Sequence, residues 1–385
     1  MRRAADRRAY GRMRDSAGAV GGSFAAGRPI HLTHSLILFI LLPGLLFEAA
    51  FNLRWRHLRA NLAGVVALAT VGVFLTAGLA GLVFHQLLGI GLAAAIVLGA
   101  VVAPTDPVAV VAVFRRLGTP SRLTNLIESE SLLNDGTGVI VFSIALGLLG
   151  TGVEFSWGSA AWQFLSLSGG GLLFGLAAGF GLSLLTRRID DPQVEISLTV
   201  LAAYGGYLLA EFLHVSGILA VVGAGLVLGN YGRPRAMSER TQVAVAAFWD
   251  AIQFLLNSVI FLLIGLDLPL ASVLAIVPLV LAGFAIVTAT RAVAVYGLLL
   301  LLRPLGRAVN LRWQTLIVWS GLRGAVAIAL LLSLPDAPAE LQIVKPVAYG
   351  VVLLSILLQG GTISPAARLL LPHTGTHREL EPDAA

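Results

Sequence analysis

Eleven apolar runs follow one another along the chain, at about 33–51, 61–85, 91–114, 125–149, 162–186, 194–212, 216–230, 243–265, 272–302, 313–334 and 345–367. An α-helix needs roughly 20 apolar residues to cross a bilayer. Backbone amides and carbonyls have no water to bond inside lipid, so runs of this kind commit a chain to helices. The loops give an independent check, because Lys and Arg accumulate on the cytoplasmic side of a membrane. Arg54, Arg56 and Arg59 follow the first run; Arg115, Arg116 and Arg122 the third; Arg187 and Arg188 the fifth; Arg233, Arg235 and Arg240 the seventh; Arg303, Arg307 and Arg312 the ninth. The alternate loops, 86–90, 150–161, 213–215, 266–271 and 335–344, contain no Lys or Arg. Run number and parity support each other. They predict an all-α polytopic membrane protein whose carboxy terminus, with Arg368 and Arg378, is cytoplasmic. The least defined boundary lies between the sixth and seventh runs, which share the block FLHVSGIL.

Composition agrees and narrows the chemistry. A 385-residue chain that is 57% hydrophobic and 12% charged, with a mean hydropathy of +0.89, lies outside the range of soluble domains. Cysteine is absent, so neither a disulfide framework nor a thiolate metal site is available. The seven His are scattered, and the one close pair, His31 and His34, precedes an apolar run and reads as interfacial. No cofactor is expected. The net charge of +6 is local: residues 1–32 hold seven Arg against two Asp, leaving +1 for the rest, so nucleic-acid binding has no support. Parity places this Arg-rich leader outside, against the rule obeyed everywhere else. A signal peptide fits it poorly, because Pro43 and Glu48 fall in the following apolar run with no small-residue cleavage site after it.

A charge near the bilayer centre costs about 2.5–3.5 kcal/mol on insertion scales, so each needs a partner or a task. Glu48, Asp106, Glu130, Asp135, Arg291 and Arg323 fall inside the runs. Structural ion pairs would account for some of them, but four acids against two bases leave an excess of negative charge suited to a cation. In VVAPTDPVAVV, Pro107 removes a backbone donor, and Pro104 and Pro107 turn the residues before them away from helical dihedrals. The helix should break there and free carbonyl oxygens beside Thr105 and Asp106, an arrangement tolerated at membrane depth only where it lines a cavity or holds an ion; the bland alternative is a kink with a stray Asp. In ESESLLNDGTGVIVF, Glu130 and Asn134 lie four apart, as do Ser131 and Asp135, so two adjacent helical stripes present them to one side. Glu128 reads as a solvated acid near the helix start. In WSGLRGAVAIAL, Gly321 and Gly324 flank Arg323 and permit unwinding, and this buried Arg calls for a carboxylate, for which Glu130 is the first candidate. Glu48, after Pro43 and Gly44, has no reason to face lipid.

Together APTDPVAVV, ESLLNDGTGVIVF, VSGILAVVGAGLVLGN, FLLNSVIFLLIGLDL and SGLRGAVAIAL, in this order, resemble the monovalent cation/proton antiporters of the sodium/proton exchanger type over about residues 33–370. The resemblance implies thirteen helices in two inverted six-helix repeats joined by a linker helix, two crossing interrupted helices at the centre, and a homodimer. The third and tenth runs match the crossed pair. By the same resemblance Asp135 is the carrier that takes cation or proton in turn, Thr105 and Asp106 help form the site, Ser131 contributes an oxygen, and Glu48 lies close to the ion. Glu130 and Arg323 resemble a structural ion pair that also holds Asn134, and the Asn134–Asp135 pair resembles the members that exchange one cation for one proton.

The implied activity is secondary-active exchange of a monovalent cation, Na+ first, for H+ in a plasma membrane, with the lipid bilayer as the partner and no enzymatic step. The resemblance also implies two helices ahead of residue 33, and the homodimer is expected if those helices are present. The expected organisation is therefore a disordered, non-family leader at 1–32, a transmembrane exchanger domain at 33–370 with eleven helices of thirteen, and a short cytoplasmic tail at 371–385. Residues 1 to about 28 would then be a misplaced start or the remnant of a truncated gene, and a non-transporting relic is the main rival reading. From another class, paired membrane aspartates suggest an intramembrane aspartyl protease, but the Gly-x-Gly-Asp context is missing because LLN precedes Asp135.

Overall fold

The fold was obtained as a computed structural model that describes residues 37–150, 156–267, 270–305, 309–334 and 341–371. The Arg-rich leader, His31, His34 and the tail beyond residue 371 lie outside the described residues. Among the described residues the regular structure is entirely helical, mostly α with short π-helical turns, and there is no strand. Among the described residues seven helices are long and apolar enough to cross a membrane: α2 (Trp55–Leu88), α5 (Ser121–Leu149), α6 (Gly158–Thr186), α7 (Pro192–Phe212), α9 (Glu239–Leu262), α10 (Val277–Leu301) and α13 (Leu341–Leu370). The other apolar runs are carried by shorter pieces. These are α1 (Ile37–Asn52), α3 (Leu92–Val102) with α4 (Val108–Leu117), α8 (Gly217–Val227), and α11 (Leu311–Trp319) with α12 (Ala325–Leu332).

The block shared by the sixth and seventh runs resolves at residues 213–216. There α7 ends, His214 takes a left-handed conformation (φ 58°), and the Ser216 hydroxyl accepts the Leu219 amide at 3.3 Å to cap α8. Asp191 caps α7 through the amides of Gln193 and Val194, with Pro192 in the first turn, where a missing N–H costs nothing.

The helices pack in two groups. In one, α2 lies along α3, α3 along α5, and α10 against α2, α11 and α13. In the other, α8 is gripped by α1 and α6, while α9 packs on α1 and α7. The α6–α8 contact shows why this sequence permits it. Gly171, Gly175 and Gly179 recur every fourth residue, and a Cβ at each would run into the backbone of Ser216, Ala220 and Ala224 in turn. Small residues at this spacing let two membrane helices approach until their backbones touch, which is where packing energy comes from when lipid supplies no hydrophobic drive. The second group is also tied by Trp249, fully buried on α9. Its ring centroid lies 4.7 Å from that of Phe47 on α1, and its indole N–H donates to Thr199 of α7 at 2.9 Å.

Candidate functional site

Both expected interruptions are present. α3 stops at Val102 and α4 begins at Val108; α11 stops at Trp319 and α12 begins at Ala325. The two breaks cross, and the Asp106 amide donates to the Leu322 carbonyl at 2.8 Å. One orphaned backbone group from each broken helix, an N–H from the first and a C=O from the second, is thereby satisfied by the other, which helps irregular chain survive at this depth. The prolines and glycines act as the sequence indicated. Pro104 packs its ring where a Cβ on Gly138 would be, Pro107 sits at the start of α4, and Gly324 leaves room for the Asp106 carboxylate, which a Cβ there would strike. Asp106 Oδ1 also accepts the Val108 amide at 3.0 Å. Its carboxylate therefore sits at the positive N-terminal ends of two half-helices, an arrangement suited to holding charge away from water.

A cavity of about 690 Å³ opens between the two helix groups toward the arginine-bearing face, where Arg54, His57, Arg115 and Arg233 line it. Deeper, α5 contributes Glu128, Ser131 and Asp135, one stripe at intervals of three and four. Asp106 and Pro107 come from the first break, and Glu48 and Asn52 from α1. Four expected ion-contacting residues, Asp135, Asp106, Ser131 and Glu48, thus share one cavity. Glu128, expected as a solvated acid, is also on its wall and pairs with Arg115 at 3.2 Å. Asp135 is 9% exposed, its Oδ1 has no hydrogen-bond partner, and Asp106 and Glu130 are the charged groups whose field reaches it. A buried carboxylate oxygen without a donor is expensive unless something occupies it in turn.

Thr105 is not on the cavity wall. Its hydroxyl accepts from Asn134 at 2.8 Å, its amide donates to the Asn134 carbonyl oxygen at 3.3 Å, and its carbonyl accepts from the Ser131 hydroxyl. These bonds tie the unwound segment to α5.

The expected Glu130–Arg323 ion pair is not formed. Glu130 pairs with Arg291 of α10, with Nη1 to Oε1 at 3.3 Å and Nη2 to Oε2 at 3.2 Å, and it also accepts from Asn134 at 3.0 Å. Arg323 turns instead into its own break. Its guanidinium donates to the Gly321 carbonyl, and its amide donates to Ser355 at 3.1 Å. The reason is local: Gly321 lies between the guanidiniums of Arg291 and Arg323, and a Cβ there would meet both. Arg291 approaches Glu130 from a continuous helix, whereas Arg323 is held by the loop. The sequence placed Arg291 among the intramembrane charges, but nothing in its spacing said which Arg would win.

Sequence reasoning missed the contribution of α9. Asp250, Gln253 and Asn257 line the cavity as one stripe, and the Gln253 amide donates to Glu48 Oε2 while Asn52 donates to Oε1 at 2.7 Å. The signal was available as polar residues at helical spacing within an apolar run.

Crossed broken helices with paired acids at the crossing define a polytopic helical membrane protein with a charged central cavity, and comparison with known proteins agrees. The profile of the family described as "Sodium/hydrogen exchanger, transmembrane" matches residues 16–369. The chain belongs to this family and is a multi-pass membrane protein. It is 43% identical over 347 residues to the Na(+)/H(+) antiporter ApNhaP of Aphanothece halophytica, covering 89% of this chain and 66% of that one. It is 40% identical over 338 residues to the Na(+)/H(+) antiporter NhaP of Pseudomonas aeruginosa, covering 85% and 79%. The chain therefore spans just under two thirds of the length of the first of these relatives. In fold it is similar to the sodium proton antiporter MjNhaP1 from Methanocaldococcus jannaschii, with a TM-score of 0.73 at 24% identity over 86% of this chain and 84% of that one. Family membership sets the protease reading aside.

Proposed function

We propose that this protein is a secondary antiporter exchanging Na+ for H+, one for one, at Asp135. The observation that carries the reading is the unpartnered Asp135 oxygen beside Asp106 in an open cavity, while the other acid at that level, Glu130, is already neutralised by Arg291. Asp106 already accepts the Val108 amide at the start of α4 and is packed against Gly324 at the start of α12. That leaves Asp135 as the charge that changes. A proton or a sodium ion each cancels it, and both cannot do so at once. With Asp135 neutral the site can pass between its two openings; with it bare the crossing carries the desolvation cost of a charge. Flux of one ion is thereby coupled to counterflux of the other.

The same reading places the protein in a plasma membrane with its arginine-bearing loops and carboxy terminus cytoplasmic, which the loop asymmetry supports, and beside a second copy of itself, as the motif resemblance implies. The test is reconstitution into liposomes carrying an internal pH dye. Wild type should move protons when Na+ is added, at a rate unchanged by an imposed potential of either sign, and Asp135→Asn should not. Sodium-driven proton flux by Asp135→Asn would refute the assignment, and a rate that follows the potential would refute the ratio.

A further inference from the structure

Glu48 is clamped by two amides from different elements. Asn52 is one turn along the same helix, but Gln253 comes from α9 and crosses the cavity wall to reach it. Glu48 is 5% exposed, and its charged neighbours are Asp250, Glu128 and Arg115. A carboxylate in such company would swing toward Arg115 or away from the acids unless held. With each oxygen accepting an amide proton, it is fixed toward the cavity.

The acids of the cavity are divided between the two helix groups. Asp106, Ser131 and Asp135 belong to the group built on α3, α5 and the broken helices; Glu48, Asn52 and Gln253 belong to the group built on α1 and α6–α9. The cavity opens on the arginine-bearing side. On the opposite side of Asp135 the groups are sealed, with Ile218 and Leu219 of α8 packed on Gly136. Exposing Asp135 to that side requires this seal to part and the cavity to close, so one group must move against the other. Glu48 stands on α1 of the other group and does not follow Asp135 in that motion, and Gln253 of that same group fixes the direction of its carboxylate.

We propose that Gln253 is a positioning residue that holds Glu48 as a cation ligand reachable only from the arginine-bearing face, so that the exchanger binds its cation more tightly on that face than on the other. This rests on the exchange reading above. The test is Na+-driven proton flux in inside-out and right-side-out membrane vesicles, with Na+ titrated on each face. Gln253→Met keeps length and packing but cannot donate a hydrogen bond; it should raise KM for Na+ at the arginine-bearing face roughly tenfold, the scale of one charge-assisted hydrogen bond, and leave KM at the opposite face unchanged. Glu48→Gln should raise KM on the same face alone, and the double variant should go little further. A purely structural defect would lower the maximal rate in both orientations. A KM change equal on the two faces, or none on either while wild type exchanges, overturns this inference alone; absence of flux in wild type overturns the exchange reading and this with it.

Discussion

Replacing Arg291 by Met should strand a carboxylate at one of the most enclosed points of the protein. Glu130 is 1% exposed and Arg291 6%, so the pair belongs to the buried class, in which removal of one partner costs about 3–5 kcal/mol, rather than to the surface class worth about 1 kcal/mol or less. Three donor contacts converge on Glu130, and Arg291 supplies two of them; its Nη2 also reaches the Ile317 carbonyl at 3.3 Å. Asn134 alone then remains. Unfolding by SDS titration in mixed micelles, applied to Arg291→Met, Glu130→Gln and the double variant, isolates the pair. The double variant should be less destabilised than the sum of the singles by about 2 kcal/mol or more, within the range for residues in direct contact. Arg323→Met should couple to Glu130→Gln more weakly, since its guanidinium bonds the Gly321 carbonyl of its own break. If Arg323 couples to Glu130 as strongly as Arg291 does, the pairing described here is wrong.

Asp106→Asn should abolish exchange, because it removes the fixed negative charge at the crossing; retained Na+-driven proton flux in vesicles would contradict that role. Gly324→Ala places a methyl group on the Asp106 carboxylate and should cost most of the transport rate, while Gly361→Ala, where nothing lies within 4 Å of the added atom, should leave it intact. Equal activity of these two alanine variants would show that the crossing tolerates displacement of Asp106. Gly175→Val should destabilise the α6–α8 contact by about 1–3 kcal/mol, the usual cost of overpacking, measured by the same SDS titration, with no loss expected for Val at Gly181, which has open space around it.

How much of this could be read from residues alone depended on the range of the interaction. The helix breaks at Pro104–Pro107 and Gly321–Gly324 were legible because proline and glycine act on their own backbone, within one turn. The α5 stripe that places Ser131 and Asp135 together was legible for the same reason: it needs only a helix's own repeat. The partner of Glu130 was not, because Arg291 and Arg323 are chemically equivalent claimants from distant elements, 161 residues away in the first case, and only the direction in which Gly321 lets each side chain run decides between them. The bonding of Thr105 was hidden in a related way. Its oxygens are adjacent to the site, but Asn134 and Ser131 reach them first.

The division of the acids between two helix groups follows from what a carrier must do with its charge. A site made wholly within one rigid group would bind its ion alike from either side, and one made wholly across the boundary would be destroyed each time the groups moved. Here the acids that set the charge, Asp106 and Asp135, sit on elements locked to each other through the Asp106–Leu322 backbone bond and the Thr105–Asn134–Ser131 network. They can travel as a unit. Glu48 and the α9 stripe sit across the cavity. On the proposed exchange reading, the charge that changes is kept in the group that carries Asp135, and the ligand that distinguishes the two faces is left to the group that carries Glu48. Substitutions in the first should change whether ions are exchanged, and substitutions in the second should change from which side exchange is easier.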